Sequence, residues 1–117
     1  MPVVDVIELK DQLASGTVLV GLDLGTKTIG VAVSDLGLRF STPRLVIRRV
    51  KFGIDAAALT KLLDEVRCGG IVLGLPLNMD GSEGPRAQST RAFARNYIKL
   101  DERPLAWSSG HRLVLTA

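Results

Sequence analysis

From Thr17 to Asp23 the chain reads Thr-Val-Leu-Val-Gly-Leu-Asp, apolar and β-branched at nearly every position. That pattern predicts a strand buried on both faces. Gly25-Thr26-Lys27 makes a turn, and Thr28-Ile-Gly-Val-Ala-Val33 a second strand, so residues 17–33 form a hairpin. A third strand is expected over residues 45–50, with Pro43 before its edge. The period then changes. Leu59, Leu62, Leu63 and Val66 recur at helical spacing, predicting an amphipathic helix over 54–67 that stops at Gly69-Gly70. Ile71–Leu75 reads as another buried strand, and Asn78-Met-Asp-Gly81 as a turn. Pro85 suits the first position of a second helix, capped by Gly84 or Ser82, with Phe93, Tyr97, Ala94 and Ile98 as its core stripe. A last strand falls around Leu105–Trp107.

Residues 1–16 (Val6, Ile7, Leu9 and Leu13 before Ser15-Gly16) read as a short helix or arm, and residues 17–117 as one domain. The order β-β-β-α-β-α-β joins an antiparallel meander to parallel strands through crossover helices, which is an α/β domain with a mixed sheet.

A length of 117 residues, 46% hydrophobic and 23% charged, belongs to one folded domain. Apolar runs such as Ile71–Leu77 are too short to cross a bilayer, and Asp5 interrupts any leader-like opening. Membrane and secreted classes are therefore set aside, and the cytoplasm is the expected compartment. The single Cys68 forms no intrachain disulfide, and with the single His111 it cannot fill a four-ligand zinc site. The net charge of +3 says less than its distribution. No acid lies between Asp35 and Asp55, where Arg39, Arg44, Arg48, Arg49 and Lys51 fall. Arg91, Arg95, Lys99 and Arg103 repeat every four residues and share a face if that segment is helical. Two basic groups in one small domain suit a polyanionic partner.

Asp23 ends an otherwise apolar strand, where an isolated carboxylate needs a cation, backbone amides or a metal. A turn aspartate taking the amides of Gly25 and Thr26 is one reading. Convergence with Lys27 and Thr28 at a strand end, where α/β domains bind ligands, is the other. The second candidate is the loop from Gly74 to Arg86. A turn at Asp80-Gly81 and a helix cap account for Asp80, Ser82 and Gly84, but leave Asn78, Glu83 and Arg86 for function. Ser34-Asp35 offers a second carboxylate or merely a strand-end turn. Cys68 reads as an apolar filler, and Trp107 as core.

The segments Gly21-Leu-Asp-Leu-Gly-Thr-Lys-Thr-Ile-Gly-Val-Ala-Val-Ser-Asp35 and Gly74-Leu-Pro-Leu-Asn-Met-Asp-Gly-Ser-Glu-Gly-Pro-Arg-Ala87 resemble the YqgF/RuvX family. This is the group of pre-16S rRNA nucleases, also called Holliday junction resolvase-like proteins. The resemblance runs from about Thr17 to Tyr97. It implies a ribonuclease H-like fold and a cytoplasmic endonuclease in 5′-end maturation of pre-16S rRNA, acting on structured RNA or branched DNA. It also implies metal-assisted phosphodiester hydrolysis with Mg2+ or Mn2+. Asp23 matches the catalytic, metal-holding carboxylate of the first strand. Lys27, Asn78 and Arg86 would contact phosphates, and basic residues including Arg91 and Arg95 would hold the nucleic acid.

The family pattern continues past its last strand with a Trp-Asp-Glu-Arg-Leu-Ser-Thr-like motif and a helix bearing a late aspartate. Here Trp107 is followed by Ser108-Ser109-Gly110, and Asp101-Glu102-Arg103 lies before the strand, a loop coincidence. Two carboxylates are thus missing, and the expectation is a shifted frame or a truncation after Trp107. That departure makes a nucleic-acid-binding protein without catalysis the second reading. The Asp-x-Gly-Thr-Lys segment is also similar to the first phosphate loop of actin-like ATPases, a third and weaker reading, since those proteins enclose ATP between two such domains.

Overall fold

The computed structural model describes residues 3–4, 9, 11, 13–33, 40–41, 45–109 and 115–116. Its elements are β1 (Val3–Val4), β2 (Val18–Leu24), β3 (Thr28–Val33), β4 (Phe40–Ser41) and β5 (Leu45–Arg48), then α1 (Phe52–Glu65) and β6 (Cys68–Leu75). They continue with α2 (Pro85–Tyr97), β7 (Leu105–Ser109) and β8 (Leu115–Thr116). One six-stranded sheet has the order β1-β7-β6-β2-β3-β5, while β4 and β8 pair separately. The β2–β3 and β3–β5 pairs are antiparallel, and β2–β6, β6–β7 and β1–β7 are parallel. The expected mixed sheet and its succession of main elements are therefore present. Within the segment expected as a helix or arm, Val3–Val4 forms the edge strand β1, whereas Leu9 and Asp11 are helical.

Both helices pack on one face of the sheet. Leu59 and Leu63 of α1 and Phe93, Ala94 and Tyr97 of α2 close over Val20, Leu22, Ile29, Val31, Ile71, Leu73 and Leu105. The alternation of β2 sends Leu19 to the other face, where Ala32, Val72 and Ala106 meet Leu9 and Leu13. Helix α1 begins at Phe52 rather than at residue 54. The buried Asp55 carboxylate accepts the Val50 amide at 2.9 Å, and Phe52 packs edge-on against Phe93 with centroids 5.4 Å apart.

Gly69-Gly70 is not a helix stop. Both residues lie in β6, and the chain turns at Arg67, whose φ is +59°. The glycines are required by close approach. A Cβ on Gly70 would sit 2.6 Å from Leu9 Cδ1, and one on Gly69 2.7 Å from Thr17 Cβ. Nor do the four cations from Arg91 to Arg103 share a helical face. Helix α2 ends at Tyr97, and Arg103 turns inward, with its Nη1 bonded to Asp101 at 2.6 Å and its Nε to the Cys68 carbonyl at 2.8 Å. Among the described residues, no helix is long and apolar enough to cross a membrane.

Candidate functional site at the carboxyl end of β2

Asp23 is the one exposed residue of β2. It pairs with Gly30 of β3, and the β2–β6 register, Leu22 against Leu73, brings Gly74 beside it on the other flank. A carboxylate between two glycines meets no neighbouring side chain on either flanking strand and stays open to water. It lies on the sheet face opposite α1 and α2, because Leu22 and Leu24 take the helix side. Among the described residues it has no hydrogen-bond or ion-pair partner. The turn-aspartate reading fails here, since the Gly25 amide is spent on the Thr28 carbonyl at 2.8 Å. Solvent, rather than protein, balances the charge.

The turn after Asp23 is braced from two directions. Arg49 donates its amide to the Lys27 carbonyl at 2.8 Å and Nη1 to the Gly25 carbonyl at 2.7 Å. Its guanidinium lies 5.9 Å from the Phe93 ring centroid. From the first turn of α2, Arg86 donates Nη2 to the Leu24 carbonyl at 3.2 Å. Arg86 and Lys27 are both exposed at this corner, and the Lys27 ammonium is unpaired among the described residues.

Asn78 plays a shaping role in its loop. Its amide donates to the Ser82 carbonyl, its carbonyl accepts from Gly81, and Nδ2 donates to Ser82 Oγ at 3.0 Å. Its side-chain oxygen would meet a Cβ on Gly84 at 3.0 Å, so the glycine lets the amide pack against the start of α2. Gly81 has φ +86°, a conformation that favours glycine. Asp80 accepts the Ser82 hydroxyl and amide, and these bonds hold its carboxyl below the ordinary range. Glu83 is likewise held low by its bond to Arg91, a two-bond pairing at 2.6 and 2.9 Å. The Arg91 guanidinium also covers Trp107, 5.0 Å from the ring centroid. Trp107 is therefore a half-buried lid on the core.

The structure thus places Asp23, Lys27 and Arg86 at the same strand end, with Asp23 on the face away from the helices and Arg86 reaching the Leu24 carbonyl from α2. Asn78 orders the adjacent loop, Arg91 is already engaged, and Arg95 stands exposed in the last turn of α2 with no partner among the described residues. Sequence reasoning missed Arg49 as a brace and the two glycines beside Asp23. Their signals were an arginine inside the acid-free stretch and an isolated glycine inside each flanking strand. Ser34 and Asp35 lie outside the described residues. Val33 pairs with Val20, so β3 ends at the opposite end of β2 from Asp23. His111 also lies outside them. Cys68 is buried, its thiol donates to the Gly70 carbonyl at 3.2 Å, and burial pushes its pKa up to about 11, the behaviour of a filler.

Asp23 can offer a cation one ligand. Among the described residues no group of three His, Cys, Asp or Glu is placed to hold a metal, and Asp80 and Glu83 are already committed to Ser82 and Arg91. This donor set does not by itself make a Mg2+ or Mn2+ site.

The mixed sheet with both helices on one face is a ribonuclease H-like fold. Two solved structures of Thermus thermophilus RuvC share that fold. One has a TM-score of 0.53 at 13% identity, covering 78% of this chain and 63% of that one. The other, in complex with a Holliday junction substrate, has a TM-score of 0.50 at 14% identity, covering 72% and 56%. The family described as RuvX, Holliday junction resolvase, matches residues 17–107, and the chain belongs to it. A relative from Chelativorans sp. (strain BNC1), named "Putative pre-16S rRNA nuclease", is 60% identical over 107 residues, which is 92% of this chain and 67% of the relative. One from Brucella anthropi with the same name is 57% identical, covering 92% and 65%. The chain spans about two thirds of the length of these relatives. The family match ends at Trp107.

Proposed function

We propose that the protein is an endonuclease of the cytoplasm that hydrolyses phosphodiester bonds in structured RNA, in 5′-end maturation of pre-16S rRNA, with branched DNA as the other substrate class. The observation that carries this reading is Asp23, the single exposed position of a central strand, unpaired and set between glycines at the sheet end where Lys27 and Arg86 converge. A phosphate approaching a bare carboxylate is repelled; the ammonium and guanidinium offset that repulsion. Each guanidinium has five N–H donors, and Arg86 spends one on Leu24, so donors remain for a phosphate oxygen. Asp23 is an acceptor-only group that takes a hydrogen bond from an incoming water or one position on a cation. Asn78 holds the loop at the start of α2 in shape, and Arg95 extends the basic surface along that helix. Family membership and the similarity to nucleases over most of the chain support the reading.

The second reading is nucleic-acid binding without cleavage. The committed state of Asp80 and Glu83 favours it, because it leaves Asp23 as the only open carboxylate of this corner among the described residues. Incubating the protein with a stem-loop RNA carrying a pre-16S 5′ leader and with a four-way DNA junction, in buffer containing Mg2+ or Mn2+, separates the two. Site-specific cuts establish the nuclease. Salt-sensitive binding with no cut on either substrate establishes the second reading.

A further inference from the structure

We infer that the phosphodiester backbone of a nucleic acid crosses the β2–β3 turn and the carboxyl end of β5, over Lys27, Arg48 and Lys51, rather than the loop on the β6 side. The inference rests on the nucleic-acid reading above and assigns the surface that serves it. The two sides of Asp23 differ in charge. On the β6 side stand Asp80 and Glu83; Arg91 is neutralised by Glu83, which leaves Arg86 as the one cation there without an acidic partner among the described residues. On the β3–β5 side, Lys27, Arg48 and Lys51 are exposed and have no acidic partner among the described residues. The nearest acid there, Asp55, is 3% exposed and occupied by the Val50 amide.

These cations are held in one place. Thr28 pairs directly with Arg48, and Arg49 ties the end of β5 to the turn through the carbonyls of Lys27 and Gly25. Arg48 shares a sheet face with Thr28, Gly30 and Val46, which is the face of Asp23. Two strand spacings across and two residues along place the Arg48 backbone about 12 Å from that of Asp23. An extended polyanion strand can therefore span the carboxylate and the cations together. Among the described residues no exposed ring is presented to stack a base, so this surface reads phosphates and not sequence.

The test uses the full chain, a stem-loop RNA and a four-way DNA junction, with binding measured across a salt series. The triple variant Lys27→Gln, Arg48→Gln, Lys51→Gln is compared with Lys61→Gln, Arg67→Gln, Lys99→Gln, which removes the same charge from exposed positions elsewhere. Circular dichroism verifies that both fold. The slope of log K against log salt is expected to flatten by about 2 to 3 in the first variant on both nucleic acids, and to stay within about 0.5 of wild type in the second. Equal flattening in the two variants means that net charge alone matters and overturns the inference. An unchanged slope in the first variant overturns it as well. A wild-type protein that binds neither nucleic acid at low salt refutes the functional reading itself.

Discussion

The substitution Asp101→Asn is isosteric and removes one charge from a buried carboxylate that accepts three hydrogen bonds. Asp101 is 8% exposed. One of its oxygens accepts the Tyr97 hydroxyl at 2.8 Å and Arg103 Nη1 at 2.6 Å, and the other accepts the Arg103 amide at 3.0 Å. Arg103 continues to Asp64 and to the Cys68 carbonyl, so the network ties α1, β6 and the loop before β7 together. Burial pulls the Arg103 pKa down, but its bonds to Asp64 and Asp101 outweigh that and hold it above the ordinary value. In the variant, the amide NH2 replaces one of the two acceptor oxygens and faces at least one donor, the Arg103 amide, while the charge opposite the guanidinium is gone. Breaking a buried ion pair from one side costs about 3 to 5 kcal/mol. Arg103 keeps Asp64 and is 18% exposed, which reduces the loss to about 2 to 3 kcal/mol. For a domain of this size that is a fall of roughly 10 °C in Tm. Thermal unfolding by circular dichroism reads it, together with Arg103→Gln and the double variant. The double variant is expected to lose less than the sum of the two singles. A fall below about 2 °C, or strict additivity, refutes the coupling.

Gly70→Ala forces a Cβ to within 2.6 Å of Leu9 Cδ1 and 3.0 Å of Leu19 Cδ2, both fully packed, and is expected to cost about 1 to 3 kcal/mol in denaturant unfolding. The only tyrosine, Tyr97, has its phenol pKa pushed up by burial, with the neighbouring Asp101 adding to the rise. The folded state therefore holds a proton that the unfolded state releases near pH 10. The Tyr97 contribution to stability should be flat below that pH and fall above it, beyond the decline that the raised Cys68 thiol starts near pH 9, with ultraviolet phenolate absorbance appearing only as the protein unfolds. Cys68, buried with its pKa near 11, is expected to react with a thiol reagent at neutral pH only at the rate of local opening. Rapid stoichiometric labelling of the native protein contradicts that.

The sheet was legible because its strands carry strong local patterns: β-branched runs at Val18–Leu24 and Thr28–Val33, and a period change at α1. Asp23 was legible for the same reason, as the one charge in an apolar run. What periodicity could not show were contacts set by distant residues. The glycine pair 69–70 imitates a helix stop, and only the approach of Leu9 and Thr17 shows that it belongs inside a strand. The four-residue spacing of Arg91, Arg95, Lys99 and Arg103 imitates a helical face, but the helix ends at Tyr97, Arg91 is drawn to Glu83 in the preceding loop, and Arg103 turns in to Asp64 and Asp101. Asp101, read from sequence as part of a loop coincidence, is instead a buried structural anchor. For the site, the strand-end location was readable. The state of each group was not, since whether Asp80, Glu83 and Arg91 are free or paired depends on loop geometry.

Cleavage by this domain turns on Asp23. Single-turnover cleavage and equilibrium binding of the same stem-loop RNA should be compared for wild type and Asp23→Asn. This exposed, unpaired residue can change without loss of packing, so the variant folds and melts as wild type does. Cleavage is expected to fall by about 10²-fold or more while binding is retained or tightens as one negative charge is removed. Cleavage that persists unchanged in Asp23→Asn would place the chemistry elsewhere and contradict the account.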